Sequence, residues 1–260
     1  MKAIILFEKL NGKIARLTLN RPERHNSLVP ELLEQFLDGL RLVDGDHSLR
    51  VLILAAEGRS FSTGGDLSGF YNHIEELESY ASHLVGLLNE AILGIMRMKI
   101  PVIAAVQGQV TGGSLGLVLA ADIVLLTQST SFRPYYPVVG FSPDGGWTAI
   151  LPRLIGSKRT AEVLFTNRTI SAEQAVQWGL ANRVVAEDEL ENAVLEIAGT
   201  IASMKPGSVI RSKELLTVQV DEISALLGAE KERFVEQVSS QEAIQGLGEF
   251  LSKVGREPTK

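Results

Sequence analysis

Residues 101–116 read Pro-Val-Ile-Ala-Ala-Val-Gln-Gly-Gln-Val-Thr-Gly-Gly-Ser-Leu-Gly. Val102 to Val106 is apolar at every position, the pattern of a strand buried on both faces of a sheet rather than on one. A glycine-rich loop, Gly108 to Gly116, follows at once and leads into another apolar stretch. Glycines there let the backbone come close to a ligand, and the amides at the start of the next helix point at whatever negative charge arrives. The same arrangement stands upstream, where Val51-Leu52-Ile53-Leu54 precedes the loop Ser62 to Gly69, and Ile123 to Leu126 repeats the buried-strand pattern. Both loops then fall at the carboxyl ends of strands of an α/β sheet, where ligands bind.

Outward from this centre, apolar residues alternate on either side of Asn11-Gly12, which predicts a hairpin. Pro30 opens a predicted helix with Leu33, Phe36, Leu37 and Leu40 on one face, and a long helical segment runs from about His73 to Met98. Beyond residue 150 helical signals dominate. Ser171 and Gln174 form a capping box, Gly179 is a stop, and three further helices are predicted at about Glu187 to Ala202, Asp221 to Ser239 and Gln241 to Lys253. No Ser/Pro/Gly-rich linker divides the chain and no internal repeat is visible. The pattern is one α/β core with a helical extension.

Composition narrows the function. Of 260 residues, 45% are hydrophobic and 22% charged, the balance of a globular protein. A net charge of −6 argues against a nucleic-acid partner. The absence of cysteine excludes disulfides, thiolate nucleophiles and Cys-ligated metals. The apolar run Ala3 to Phe7 is too short for a signal-peptide core, and no stretch approaches the length that spans a bilayer, so a cytoplasmic protein without a membrane partner is expected.

Gly112-Gly113-Ser114-Leu115-Gly116 fits the nucleophile elbow of serine hydrolases, yet that fold places its histidine after the serine. His25, His47, His73 and His83 all precede Ser114, so the hydrolase reading fails on chain order. A glycine turn that serves only strand–helix packing remains the plain alternative. Neither glycine loop spells a P-loop or a dinucleotide fingerprint. The histidines show no ligand spacing, so no metal site is expected. The cluster Gly140-Phe141-Ser142-Pro143-Asp144-Gly145-Gly146-Trp147 sets one carboxylate in an apolar turn. Asp144 either caps a following helix or, desolvated by Phe141, Trp147 and nearby tyrosines, is tuned for proton transfer.

Taken in order, Arg21 to Leu28 (Arg-Pro-Glu-Arg-His-Asn-Ser-Leu), the Phe61 to Leu67 loop, Pro101 to Gly113 and Ala120-Ala121-Asp122 resemble the crotonase, or enoyl-CoA hydratase/isomerase, family. The likeness continues to Glu249-Phe250-Leu251-Ser252-Lys253. The resemblance implies a crotonase-like α/β spiral of ββα units over residues 1–200, a helical trimerisation region over 201–260, and a homotrimer or a hexamer made as a dimer of trimers. It implies an acyl-CoA thioester substrate and no cofactor beyond the coenzyme A that the substrate carries. By position, the amides of Gly65 and Gly113 would form an oxyanion hole. Thr63 and Leu67 would contact adenine, and Arg24, His25 and Lys253 the phosphates of coenzyme A. Phe250 and Lys253 would act on a neighbouring subunit's ligand, while Tyr136 and Trp147 would line the acyl pocket.

The two glutamates of hydratases correspond here to Gly116 and Tyr136, so ordinary hydration is not expected. Asp144 matches the single aspartate of enoyl-CoA isomerases resembling the phenylacetate-pathway enzyme, and also the nucleophile of 4-chlorobenzoyl-CoA dehalogenases. The segments Gly113 to Leu117, Leu164 to Thr169 and Trp178-Gly179-Leu180 look like the dehalogenase. That chemistry also needs a histidine where this chain has Asn89 and a tryptophan where it has Tyr136. Isomerisation demands less and is the first expectation. Dehalogenase-like or other Asp-dependent chemistry, including the ring closure of naphthoate synthases, comes second. Binding of acyl-CoA without turnover is the reading from a different class.

Overall fold

The computed structural model describes residues 3–217 and 219–253. Strands β1 (Ile5–Leu10) and β2 (Ile14–Leu19) form the predicted antiparallel hairpin, with Leu10 opposite Ile14. Helix α1 (Pro30–Gly45) begins at the proline, whose missing N–H would have had no intrahelical acceptor there. Strand β3 (Val51–Ala56) follows, then the short α2 (Leu67–Asn72) and the long α3 (Leu77–Arg97). The helix predicted from His73 starts at Leu77 because Ile74–Glu76 form a separate tight turn of 3-10 type.

Two strands and a helix then recur. Strand β4 (Val102–Val106), β5 (Gln109–Thr111) and α4 (Leu115–Leu119) form one unit; β6 (Ile123–Thr127), β7 (Ser131–Arg133) and α5 (Tyr136–Val139) form the next. Strand β3, the bridge of Ser62 to Val110, and α2 make the same sequence of elements one turn earlier. The long strands stack in parallel, Leu52 beside Val102 and Ile103 beside Ile123, and the short ones do likewise, Gln109 beside Ser131. This stacking is the spiral of ββα units. Helices α6 (Leu151–Ile155) and α7 (Ser157–Thr166) lead to β8 (Ile170–Ser171), α8 (Ala172–Gln177), which carries the Ser171/Gln174 capping box, and β9 (Arg183–Val185). The main sheet runs β1-β2-β3-β4-β6-β9 and the small one β5-β7-β8.

Helices α9 (Leu190–Ser203), α10 (Pro206–Leu216), α11 (Val220–Val238) and α12 (Gln241–Lys253) complete the described residues. The unbroken apolar strands are explained by two cores. Leu52, Leu54, Val102, Ala104 and Val124 face the large core beneath α1 and α3, whereas Val51, Ile53, Ile103, Ala105 and Leu125 pack under Val194 and Ala198 of α9. Burying both faces removes the polar alternation that marks a half-exposed strand. No helix among the described residues is long and apolar enough to cross a membrane.

Helix α10 was not among the predicted helices. It buries only Lys213, so it has no apolar stripe to read; Pro206 at its first turn is the one sequence signal. The buried Lys213 ammonium donates to Asp122 Oδ2 at 2.7 Å and to the Ile100 carbonyl at 3.1 Å, and the same Asp122 oxygen accepts from the Val102 amide at 2.7 Å. Burial lowers the Lys213 pKa while Asp122 opposes the shift. The pair pins the helical extension to the start of β4. Lys213→Ala strands a partly buried carboxylate and is expected to cost about 2 kcal/mol in urea unfolding, less than for a fully buried pair because Asp122 keeps some solvent. Lys213→Met should cost less than Lys213→Ala, since it restores the packing.

Candidate active site

The two glycine loops and the Asp144 turn converge through backbone contacts that admit no side chain. Gly64 adopts φ +74° and lies so close to β5 that a Cβ there would sit 2.6 Å from the Thr111 carbonyl oxygen. Gly145, at φ +62°, presses on the backbone of Gly113, where a Cβ would fall 2.5 Å from its Cα. Only glycine meets both demands at once. The result is a cavity of about 300 Å³ bounded by Gly64, Gly65, Gly112, Gly113 and Asp144 on one side and by Phe70, Leu84, Leu88, Val139, Phe141 and Phe234 on the other.

On the polar wall, the crossing of residues 28 and 65 uses the Gly64 carbonyl and the Asp66 amide, at 2.7 and 2.9 Å from their Leu28 partners, and leaves the Gly65 N–H outside it. Gly113 lies in the first turn of the helical segment Gly112–Leu119, where amides have no intrahelical acceptor. Asp144 stands directly against it: a Cβ on Gly113 would be 2.7 Å from Asp144 Oδ2.

Tyr136 donates its hydroxyl to Asp144 Oδ1 at 2.6 Å and to the Asp144 carbonyl at 3.1 Å, while Asp144 Oδ2 accepts no hydrogen bond among the described residues. Burial pushes the Asp144 carboxyl up to about 7; the Tyr136 hydroxyl pulls it down and the Glu230 carboxylate adds to the rise. Burial, followed by the Asp144 charge, holds the Tyr136 phenol well above its ordinary value, so it serves as a donor. Residues 145–150 form turns and no helix, so Asp144 caps nothing.

The other expected residues divide. Thr63, Gly65, Leu67, Gly113, Tyr136, Asp144 and Phe250 line the cavity. Trp147 does not, contrary to expectation. It is fully buried behind Tyr136, ring centroids 6.3 Å apart, and its indole N–H donates to the Gly112 carbonyl at 2.8 Å, so it braces the loop instead of touching a ligand. Phe250 lines the cavity of its own chain, because α12 folds back onto α2 and α5. That differs from the expected reach into a neighbouring subunit.

Arg24 faces an adjacent open groove, and Asp66, which also takes Arg21, pairs with it at 3.0 Å. One carboxylate is thus shared by two guanidiniums, and the cluster keeps a net positive charge at the groove. His25 is bonded to Ser60 at 3.1 Å, and Lys253 is exposed at the end of α12. Two features escaped sequence reading. Asn89 turns from the cavity to donate to the Leu227 carbonyl at 3.0 Å, and Glu230 of α11 takes the Gly146, Thr148 and Ala149 amides at 2.6 to 2.9 Å. Nothing local marks a glutamate on a helix as the anchor of a turn more than eighty residues away.

The sequence profile of the enoyl-CoA hydratase/isomerase family matches residues 9–257. A Mycobacterium tuberculosis protein described as "Probable enoyl-CoA hydratase EchA12" is 38% identical over 219 residues, covering 82% of this chain and 77% of that one. An Arthrobacter 4-chlorobenzoyl coenzyme A dehalogenase is 34% identical over 192 residues, covering 73% and 69%. The crystal structure of an enoyl-CoA hydratase from Bacillus halodurans superposes with a TM-score of 0.89 over 95% of this chain and 100% of that one; at 24% identity the match concerns the fold.

The buried Asp144 lowers the stability of the fold when ionised. Its folded pKa of about 7 exceeds the ordinary 3.8, so the unfolded chain releases its proton first as pH rises, and stability falls between those values. At about 1.4 kcal/mol per unit, the full penalty above pH 7 is about 4 kcal/mol. Asp144→Asn keeps the Tyr136 hydrogen bond and removes the charge. Melting curves at pH 8 should show the variant several degrees more stable than the parent, with the gap closing toward pH 4.

Proposed function

The chain belongs to the enoyl-CoA hydratase/isomerase family, and from that membership and the cavity's geometry we propose that it isomerises an enoyl-CoA thioester with Asp144 as its only proton carrier. The observation that carries this reading is a single carboxylate with a free oxygen facing an apolar cavity. The other lining carboxylate, Asp66, is tied to Arg21 and Arg24.

The thioester carbonyl oxygen accepts hydrogen bonds from the Gly65 and Gly113 amides. Asp144 Oδ2 takes a proton from C2 of a 3-enoyl group, the electron pair moves into a dienolate, and the negative charge collects on the carbonyl oxygen. Each fixed amide donor contributes about 3 kcal/mol there, because it needs no reorientation as the charge forms. Asp144 then returns the proton at C4, leaving the 2,3-double bond. Tyr136, bonded to Oδ1, keeps Oδ2 directed at the substrate. A base with a pKa of about 7 suits both halves of this shuttle at neutral pH. Phe250 and Leu251 of α12 cover the cavity and keep water from the dienolate. The reaction needs no cofactor beyond the coenzyme A of the substrate.

The hydratase reading is disfavoured by space as well as by residue type. A Cβ on Gly116 would lie 2.5 Å from the Gly145 carbonyl oxygen and against Ile92, so no glutamate fits there. Dehalogenase chemistry is disfavoured because Asn89, at the histidine position, points into α11.

Asp144→Asn is expected to lower turnover of a 3-enoyl-CoA by roughly 10³-fold with KM changed little, followed by the absorbance of the conjugated thioester. Turnover within a few-fold of the parent rules Asp144 out as base; binding without turnover in the parent identifies a non-catalytic acyl-CoA protein. The parent's kcat/KM should fall as pH drops through about 7, where Asp144 gains its proton. Hydration of crotonyl-CoA should be far slower than isomerisation, and Gly116→Glu should not raise it but should lower the melting temperature through overpacking.

A further inference from the structure

We propose that Glu230 is a positioning residue for Asp144: from α11 its carboxylate clamps the turn that carries the base and brings a second buried carboxylate to that turn. The proposal rests on the reading of Asp144 as the base.

Glu230 is 5% exposed, yet all four of its close polar contacts are donors. Oε2 accepts from the Gly146 amide at 2.8 Å; Oε1 accepts from the Thr148 amide at 2.6 Å, the Thr148 hydroxyl at 2.7 Å and the Ala149 amide at 2.9 Å. Burial raises the Glu230 carboxyl, and these donors oppose the shift. The three amides can only donate and a protonated glutamate would have only the Thr148 hydroxyl to receive its O–H, so the ionised form is the one that satisfies all four contacts as they stand. Gly145 and Gly146 give the turn little rigidity of its own, and the Glu230 clamp closes from the Gly146 amide onward.

Groups facing Asp144 from the surrounding elements are few. Helix α5 supplies Tyr136 and α11 supplies Glu230. Helix α3 offers Leu84 and Leu88, with Asn89 turned away; α12 offers Phe250 and Leu251; and Asp66, beyond α2, is neutralised by Arg21 and Arg24. Tyr136 and Glu230 therefore act on the base in opposite directions, the hydroxyl stabilising its ionised form and the like charge opposing it.

The test titrates Asp144 directly. Protein labelled with ¹³Cγ-aspartate gives a resonance assigned by its loss in Asp144→Asn, and its midpoint is read without any turnover, so failure of the isomerase assignment would leave this measurement intact. In Glu230→Gln the midpoint should move to lower pH by about half a unit or more, and in Tyr136→Phe to higher pH. Where turnover of the enoyl-CoA is measured, Glu230→Gln should lower kcat at least about tenfold with KM within about twofold, since the acyl-CoA contacts are untouched. A parental midpoint or a parental kcat in folded Glu230→Gln overturns the proposal. If that chain does not fold, Thr148→Val carries the test from an exposed position: loss of one donor to Glu230 should lower kcat severalfold at constant KM, and an unchanged kcat overturns it.

Discussion

Three backbone turns meet where no side chain can stand between them, and the rest of the site depends on that contact. Gly64 rests on the Thr111 carbonyl and Gly145 on Gly113, at separations a Cβ would violate. Because the loops touch backbone to backbone, two amides and one carboxylate share a single small cavity. The spiral makes this possible. Each ββα turn delivers its loop at the same end of the stacked strands, so loops distant in sequence arrive side by side.

The cavity's chemistry follows from what surrounds that contact. Leucines of α3 and phenylalanines from α2, the Gly140–Trp147 segment and α11 exclude water, which raises the energy of an ionised Asp144 and makes its proton easy to exchange near neutral pH. The same desolvation strengthens any amide donor facing a developing oxyanion. Part of the fold's stability is given up to obtain this, as is common at sites where a charge must be held away from solvent. The helical extension is part of the site, since α11 supplies Phe234 to the cavity and Glu230 to the Asp144 turn, and α12 lines the cavity of its own chain.

Much of this was legible in the chain. Strands buried on both faces announce themselves as unbroken apolar runs, and the glycine loops after Leu54 and Val106 mark where backbone comes close to a ligand. The repeat of ββα units was not legible in local pattern, because the units share geometry without sharing sequence, and it was expected only from the family resemblance. Helix α10 was missed since it is held by the Lys213 ion pair and has no apolar stripe. Trp147 was misplaced because an aromatic beside a glycine-rich turn reads the same whether it faces a cavity or braces the loop from behind.

By itself the sequence determined most of the element types, the buried sheet, the glycine loops and Asp144 as a carboxylate set in an apolar turn, all of which depend on residues near one another in the chain. Only the tertiary structure decided which carboxylate is free and which is paired, that Asn89 faces α11, that Gly116 has no room for a side chain, and that Glu230 holds a turn more than eighty residues away. Those facts are set by desolvation and by contacts between distant segments. Local pattern records neither, because burial and partnership belong to the packed chain and not to any stretch of it.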